Sequence, residues 1–330
     1  MNLCDIIKKC TELPDISIKY EKYSTELILH KKEGKSSMIF FPLFPGLSLA
    51  YIFVNSSTWP VPDFSENGSN KTGPLLLNYC VAGRCEIALN TENFVYVKEH
   101  DFSLTERFAQ KPYQYPRHIY EGLEFFIDID TVMTETPWLC QEFGIDFYNL
   151  AKLYCPDKNT YICEAPSEIR NIFEHIWNLF SSLTPASITQ MKIYTLSVFS
   201  YLSDLRDIPP SQVCTFLTET QAGIAKRAEK IITSDLRVHH PVRELSARFS
   251  VSETSLKNYF RGVFGQNISV YLREVRMKKA AELFIETKLP VSEIAMQVGY
   301  MNQSKFAAVF KKQFGLAPLE YRRLKHLEHS

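Results

Sequence analysis

The sequence predicts an α+β multidomain chain: a β-rich N-terminal region, a helical region behind it, and an all-α C-terminal domain with two helix-turn-helix units. Three observations lead there. Short runs rich in β-branched and aromatic residues crowd the span from Ile39 to Ile129, with the length and composition of strands. From Pro137 the apolar residues recur at steps of three and four, the period of a helix buried on one side. The last part of the chain repeats itself and carries its own charge. Residues 221–330 hold 19 Lys and Arg against 10 Asp and Glu, net +9, which leaves net −9 on the first 220 of a chain that sums to zero. A basic module of that size suggests a polyanionic partner; a solvated face with a chance excess of charge is the alternative at this point.

Length and composition narrow the classes. A chain of 330 residues is long enough for about two domains, each able to bury a core without disulfides. Hydrophobic residues at 45% exclude a mainly disordered chain, and 12 Gly with 17 Pro exclude collagen-like repeats. Residues 1–10 have no basic stretch followed by an apolar run, so no secretory signal is expected. Residues 38–54 lack a charge, but Pro42 and Pro45 interrupt them and they fall short of the roughly 20 residues a membrane span needs. Two buried strands around a Pro-Gly turn fit them better. A soluble, cytoplasmic chain with no membrane partner is expected.

The strand candidates are 39–41, 47–54, 75–81, 85–89, 94–98, 102–105 and 123–129, separated by Pro, Gly, Asn and Asp. So many short strands in succession point to a sandwich or small barrel. Residues 65–74 read as a loop. Eight cysteines, at 4, 10, 80, 85, 140, 155, 163 and 214, make no C-x-x-C pair and are expected to be reduced thiols. Cys80 and Cys85 flank an apparent strand-turn-strand that would set them across a hairpin, which leaves a redox role open.

Further on, Ile169, Ile172, Phe173, Ile176, Trp177 and Phe180 share one helical face. Pro185 opens another helix, in which Ile188, Met191, Thr195, Val198, Leu202 and Leu205 run at 3-4-3-4-3 spacing. That seam lets two helices pack knobs into holes, so it is the candidate dimerisation surface. Packing inside its own domain is the alternative. Residues 207–211 end the helix, and a linker at 211–218 follows.

In the basic part, Pro241-Val242-Arg243-Glu244-Leu245-Ser246 aligns with Pro290-Val291-Ser292-Glu293-Ile294-Ala295 at an offset of 49. Leu256, Phe260, Gly265 and Tyr271 then align with Phe306, Phe310, Gly315 and Tyr321 at an offset of 50. Each copy reads as a short helix, a turn near Val251 or Gly299, and a second helix ended by glycine, which adopts a left-handed cap cheaply. This is the helix-turn-helix, whose second helix enters the DNA major groove. A continuous helix from Ile268 to about Glu286 joins the copies. Its apolar side carries Ile268, Tyr271, Leu272, Val275, Leu283 and Phe284, while Arg273, Arg276, Lys278 and Lys279 crowd the rest.

In the first reader, the apolar stripe Leu256, Tyr259, Phe260, Val263 and Phe264 puts Thr254, Lys257, Asn258 and Arg261 outside, with Ser252 as N-cap. Asn258 can pair with adenine, Lys257 with guanine or a phosphate, and Arg261 with a phosphate. In the second, the stripe Phe306, Val309, Phe310 and Phe314 leaves Gln303, Ser304, Ala307, Ala308 and Lys311 outward, with Lys305 flanking and Asn302 as cap. Lys311, Lys312, Arg322 and Arg323 are the expected docking cations. Alanine methyls can meet a thymine methyl but make no hydrogen bond, so the second reader is expected to discriminate less, chiefly through Gln303.

Val291-Ser292-Glu293-Ile294-Ala295, Val298-Gly299-Tyr300, Ser304-Lys305-Phe306, Phe310-Lys311-Lys312-Gln313-Phe314-Gly315-Leu316-Ala317-Pro318 and Tyr321-Arg322 resemble, in order, the signature of AraC/XylS-type transcriptional regulators. The resemblance covers about residues 221–325. It implies a seven-helix DNA-binding domain at 219–330, behind a β-rich, cupin-like effector or sensor domain at 1–135 and a helical dimerisation region at 136–210. Over the first 220 residues the likeness is one of layout. It also implies a homodimeric, sequence-specific regulator of double-stranded DNA, expected to be an activator that works with RNA polymerase, answers a small-molecule effector and needs no cofactor. Family members often carry a polar or basic residue where Ala307 and Ala308 stand.

No enzyme chemistry accompanies these features. His30, His100 and His118 are isolated, and there is no H-x-H, H-E-x-x-H, phosphate-binding glycine loop or Gly-x-Ser-x-Gly elbow. Neither catalytic residues nor a metal site is expected. Glu121, Glu124, Asp128 and Asp130 cluster near the last strand, where acidic side chains are usually solvated. Two rivals keep the DNA-binding half. A DNA-repair methyl acceptor would need a zinc-held four-cysteine set, which the spacings of Cys80/Cys85 and Cys155/Cys163 do not supply. An architectural binder without effector would not need the first 220 residues.

Overall fold

A computed structural model of the chain describes residues 3–31, 34–61, 74–89, 92–106, 112–205 and 216–328. They form two compact units, Met1–Phe216 and Leu217–Ser330.

The first unit opens with helix α1 (Leu3–Cys10) and continues through strands β1 (Ile16–Tyr20), β2 (Thr25–Lys31), β3 (Gly34–Phe44), β4 (Leu47–Val54), β5 (Thr58–Trp59), β6 (Leu75–Ala88), β7 (Asn93–Lys98), β8 (Asp101–Thr105), β9 (Tyr113–Gln114) and β10 (Tyr120–Ile127). Helices α2 (Ile129–Glu135), α3 (Pro137–Phe143) and α4 (Phe147–Tyr154), strand β11 (Tyr161–Glu164), and helices α5 (Ser167–Leu179) and α6 (Pro185–Asp204) follow. Strands β1 to β4 form an antiparallel meander, and β10 lies between β4 and β6. The first half of β6 pairs with β8 and the second half with β7. Gly46, at φ 75°, makes the turn from β3 to β4. β1 and β2 escape the sequence reading because they are half-exposed and broken by charged residues, so their alternation is weak.

Alternation along the strands fills two cores. Phe41, Leu49, Tyr51, Leu77, Tyr79, Leu123 and Phe125 face the helices and pack with Phe147, Ile169, Phe173 and Phe199. Phe40, Ala50, Ile52, Leu76, Cys80 and Phe126 face the other way, into an inner core that the sheet wraps and that Ile6, Ile7 and Cys10 of α1 close. The β-rich layer and the helices behind it therefore share buried surface.

Three expectations need correction. Cys80 and Cys85 do not face each other across a hairpin, because β6 runs unbroken through both. Gly83 takes φ 90°, where a Cβ would stand 2.1 Å from the Ile119 carbonyl oxygen, and the register shifts at Glu121/Gly122 opposite. The chain bulges there instead of turning back. Both thiols are free and buried, and burial pushes both well up.

The acidic cluster near the last strand is not uniformly solvated. Asp128 accepts the Thr131 N–H and caps α2, and Asp130 accepts the Tyr148 hydroxyl at 2.6 Å. Glu124 instead lies in the middle of β10, 8% exposed, and burial pushes its carboxyl up to about 7.

The α6 stripe faces inward. Met191, Thr195, Val198 and Leu202 are fully buried, while Ile188 and Leu205 are half-buried. Neighbouring Phe199 packs edge-on against Phe125 and Phe147, and the Tyr154 hydroxyl donates to the Leu202 carbonyl at 3.2 Å. The holes that receive these knobs belong to the same unit, so a second copy cannot reach them. Ile188 also lines an open cleft of about 330 Å³ with Tyr23, Ile39, Phe41, Phe180 and Leu183. Thr184 caps α6 through a reciprocal box with Ser187, ahead of Pro185. The helix stop at 207–211, most of the 211–218 linker and the loop at 65–73 lie outside the described residues.

The second unit comprises α7 (Glu219–Ser234), α8 (Val242–Arg248), α9 (Glu253–Phe264), α10 (Ile268–Glu286), α11 (Val291–Gln297), α12 (Gln303–Phe314) and α13 (Pro318–Glu328). Helix α10 contributes Met277, Ala280, Ala281 and Phe284 to a core shared with α11 and α12. At its other end Tyr271 donates a hydrogen bond to Glu229 of α7 at 3.0 Å. Among the described residues, no helix is long and apolar enough to cross a membrane, and no three or more His, Cys, Asp or Glu converge as metal ligands.

Candidate nucleic-acid interface

Each reader helix is defined at both ends by its own residues. The Ser252 hydroxyl accepts the Ser255 N–H at 3.0 Å at the start of α9, and Gly265 closes it at φ 79°. Asn302 accepts the Lys305 N–H at 2.8 Å at the start of α12, and Gly315 closes it at φ 76°. These satisfy backbone groups that a helix terminus leaves unpaired. Ahead of each reader, Ser250 and Gly299 supply the left-handed residue of the turn.

The repeat extends to how each reader is seated. Phe260 lies 4.5 Å from Phe264 and meets Tyr271 edge-on at 5.4 Å, with Phe264 to Tyr271 at 4.8 Å. Phe310 lies 4.6 Å from Phe314 and meets Tyr321 edge-on at 5.3 Å, with Phe314 to Tyr321 at 5.2 Å. The same three-ring wedge anchors α9 on α10 and α12 on α13.

With those stripes buried, the opposite faces are open to solvent. Thr254, Lys257, Asn258 and Arg261 are all exposed on α9. On α12 Gln303, Ser304, Lys305, Lys311 and Lys312 are exposed, as is Ala308, while Ala307 is half-buried. Lys257 sits 3.4 Å from Glu253 with both side chains solvated, a pair worth little that a phosphate could replace. Lys311 and Lys312 occupy the last turn of α12, where the carbonyl end of the helix favours cations.

Two half-buried arginines of this unit, one of them the expected docking cation Arg322, are tied to the fold. Arg276 donates to the Leu236 carbonyl at 2.7 Å and lies over the Tyr300 ring at 5.9 Å. It thereby ties the loop before α8 to the turn before α12. Arg322 donates to the Leu289 carbonyl and lies over Phe284 at 4.9 Å, so it is not a free docking cation. Arg273, Lys278, Lys279 and Arg323 stay exposed. Sequence reasoning missed Met301, 95% exposed immediately before the Asn302 cap. Its position beside a cap was the one available signal.

Comparison with known proteins agrees with this geometry. A helix-turn-helix domain family matches residues 245–324. The chain is 30% identical over 132 residues to the HTH-type transcriptional activator RhaR of Salmonella schwarzengrund, which covers 40% of this chain and 43% of that protein. It is 26% identical over 190 residues to RhaR of an Enterobacter species, covering 52% and 67% respectively. The chain thus spans less than half the length of the first of these relatives. Among solved structures it is similar to the C-terminal domain of AraT, a response regulator from Geobacillus stearothermophilus, at 34% identity over 31% of this chain and 84% of that one, with a TM-score of 0.29. The paired reader helices thus lie within a helix-turn-helix domain over residues 245–324, and the chain is similar over part of its length to HTH-type transcriptional activators.

Proposed function

We propose that this regulator is a cytoplasmic, homodimeric activator that reads a long asymmetric half-site with both helix-turn-helix units of residues 219–330. The observation that carries the reading is the pair of equivalent reader helices, α9 and α12, each with a solvated polar face on the same aromatic wedge. Asn258 is assigned to an adenine edge, Thr254 and Lys257 to neighbouring bases or phosphates, and Arg261 to a phosphate. On α12, Gln303 and Ser304 meet base edges, Lys305, Lys311 and Lys312 meet phosphates, and the exposed Ala308 and Met301 suit thymine methyl groups. Residues 1–135 act as a cupin-like sensor of a small-molecule effector, and 136–210 as the helical dimerisation region, joined to the readers by 211–218. Dimerisation uses an outer surface of that region, since the α6 stripe is buried within one copy.

The mechanism is a population shift, in which effector binding changes which half-sites the two basic domains can span together. The curated relatives supply the support for activation. Transcription in vitro from a promoter carrying a bound fragment tests it: added protein should raise RNA polymerase output, and a fall would assign repression instead.

A further inference from the structure

We propose that the inner core of the N-terminal unit is a binding site for a small organic cation, an ammonium or guanidinium group on a short apolar body, with Glu124 as its counter-ion. The proposal rests on the sensor reading of this unit and names the chemistry of what is sensed.

Glu124 projects from β10 on the same face as Tyr120 and Phe126, into the inner core. In register it stands opposite Asn78 of β6 on one side and Ala50 of β4 on the other, and Asn78 stands opposite Ser103 of β8. Three polar side chains thus lie abreast on three adjacent strands of an otherwise apolar surface. The Tyr120 hydroxyl donates to the Asn78 carboxamide oxygen, and the Tyr115 ring lies 5.3 Å from that of Tyr120. Tyr113, Tyr115 and Tyr120 hold their protons firmly, first through burial and in part through the Glu124 charge, which places all three phenols within its field.

Among the described residues neither a hydrogen-bond donor nor a basic side chain steadies the Glu124 carboxylate, and burial pushes its titration up. An ionised carboxylate in such a place is unfavourable unless a counter-charge joins it. A cation would restore what burial removes, and phenol faces attract cations further. An anionic ligand would be repelled. A neutral polyol could bond to Asn78 and Ser103 but would leave the carboxylate uncompensated. In the sequence Glu124 is one of four neighbouring acidic residues, and only its register on β10 sets it apart from them.

The test compares three probes with one six-carbon tail, hexylammonium, hexanol and hexanoate, on the full chain at pH 8, where Glu124 is ionised. Millimolar hexylammonium should raise Tm by several degrees in a saturable way, while hexanol and hexanoate should not. Glu124→Gln, near-isosteric and free of the buried charge, should melt no lower than the parent and lose the response. Glu124→Asp, with the charge on a shorter arm, should keep a weaker one. Equal shifts from hexanol and hexylammonium, an unchanged hexylammonium shift in Glu124→Gln, or no hexylammonium shift at all would overturn the cation site while leaving open a sensor for another ligand. The sensor reading fails separately, if hexylammonium binds in a Glu124-dependent way yet leaves DNA affinity unchanged.

Discussion

Ser250 and Gly299 hold the same left-handed position in the two reader turns, with φ at 55° and 82°. Only the glycine is hemmed in: a Cβ there would stand 2.2 Å from the Leu236 carbonyl oxygen and 2.8 Å from the guanidinium of Arg276. A left-handed conformation costs an ordinary residue roughly 1–2 kcal/mol, part of which glycine returns through its freedom in the unfolded chain. Ser250→Gly should therefore stabilise the second unit by up to about 1 kcal/mol. Gly299→Ala should destabilise it by more, because the added carbon meets backbone as well as strain. Denaturant midpoints of the two variants check both signs, and a loss of stability in Ser250→Gly contradicts the equivalence.

The first reader should separate base contacts from phosphate contacts. Asn258→Ala is expected to cost about 1–3 kcal/mol on the preferred sequence alone and to relax preference at one position. Arg261→Ala should weaken binding to all sequences alike and lower the salt slope by about 1. Titrations of matched and mismatched duplexes at several salt concentrations distinguish these patterns. A uniform loss in Asn258→Ala would demote that residue to a backbone contact.

Burial of the α6 stripe turns an association surface into a stability determinant. Leu202→Ala should destabilise the first unit by about 2–5 kcal/mol, the range for emptying a packed leucine site. Sedimentation of the folded protein should be unaffected. Dissociation of a dimer without loss of thermal stability would return the stripe to the interface.

Glu124 predicts a pH dependence of definite sign. Its folded carboxyl titrates at about 7, above the value near 4.5 of an unburied glutamate, so the folded state holds the proton more tightly than the unfolded chain. Stability should be full below about pH 4.5 for this group, fall as pH rises towards 7 by roughly 3 kcal/mol, and level off above. Glu124→Gln should remove that fall. Unfolding free energies measured across this window in both proteins decide it, and parallel curves would mean that Glu124 is already paired or solvated.

What the sequence made legible was local. Helix bounds at Gly265 and Gly315, caps at Ser252 and Asn302, and the repeat itself all depend on residues within one or two turns of each other. The missing parts depend on partners far along the chain. The 3-4 spacing of Met191, Thr195, Val198 and Leu202 says that they share a face but not that Phe147 and Tyr154 cover it. Glycine at 83 fits a turn or a bulge equally, and pairing with β10 chose the bulge. Arg276 and Arg322 look like any surface cation until the Leu236 and Leu289 carbonyls come within reach. Glu124 became distinctive once the register set it beside Asn78 and Ala50.

The most direct test of two-reader recognition is selection of bound fragments from random DNA by the full-length protein at two salt concentrations. Two enriched major-groove blocks about one helical turn apart are expected, with the block read by α9 more sharply defined than the block read by α12. Steeply salt-sensitive binding with no enriched sequence would contradict the account, and the exposed residues of both reader helices would then be phosphate contacts only.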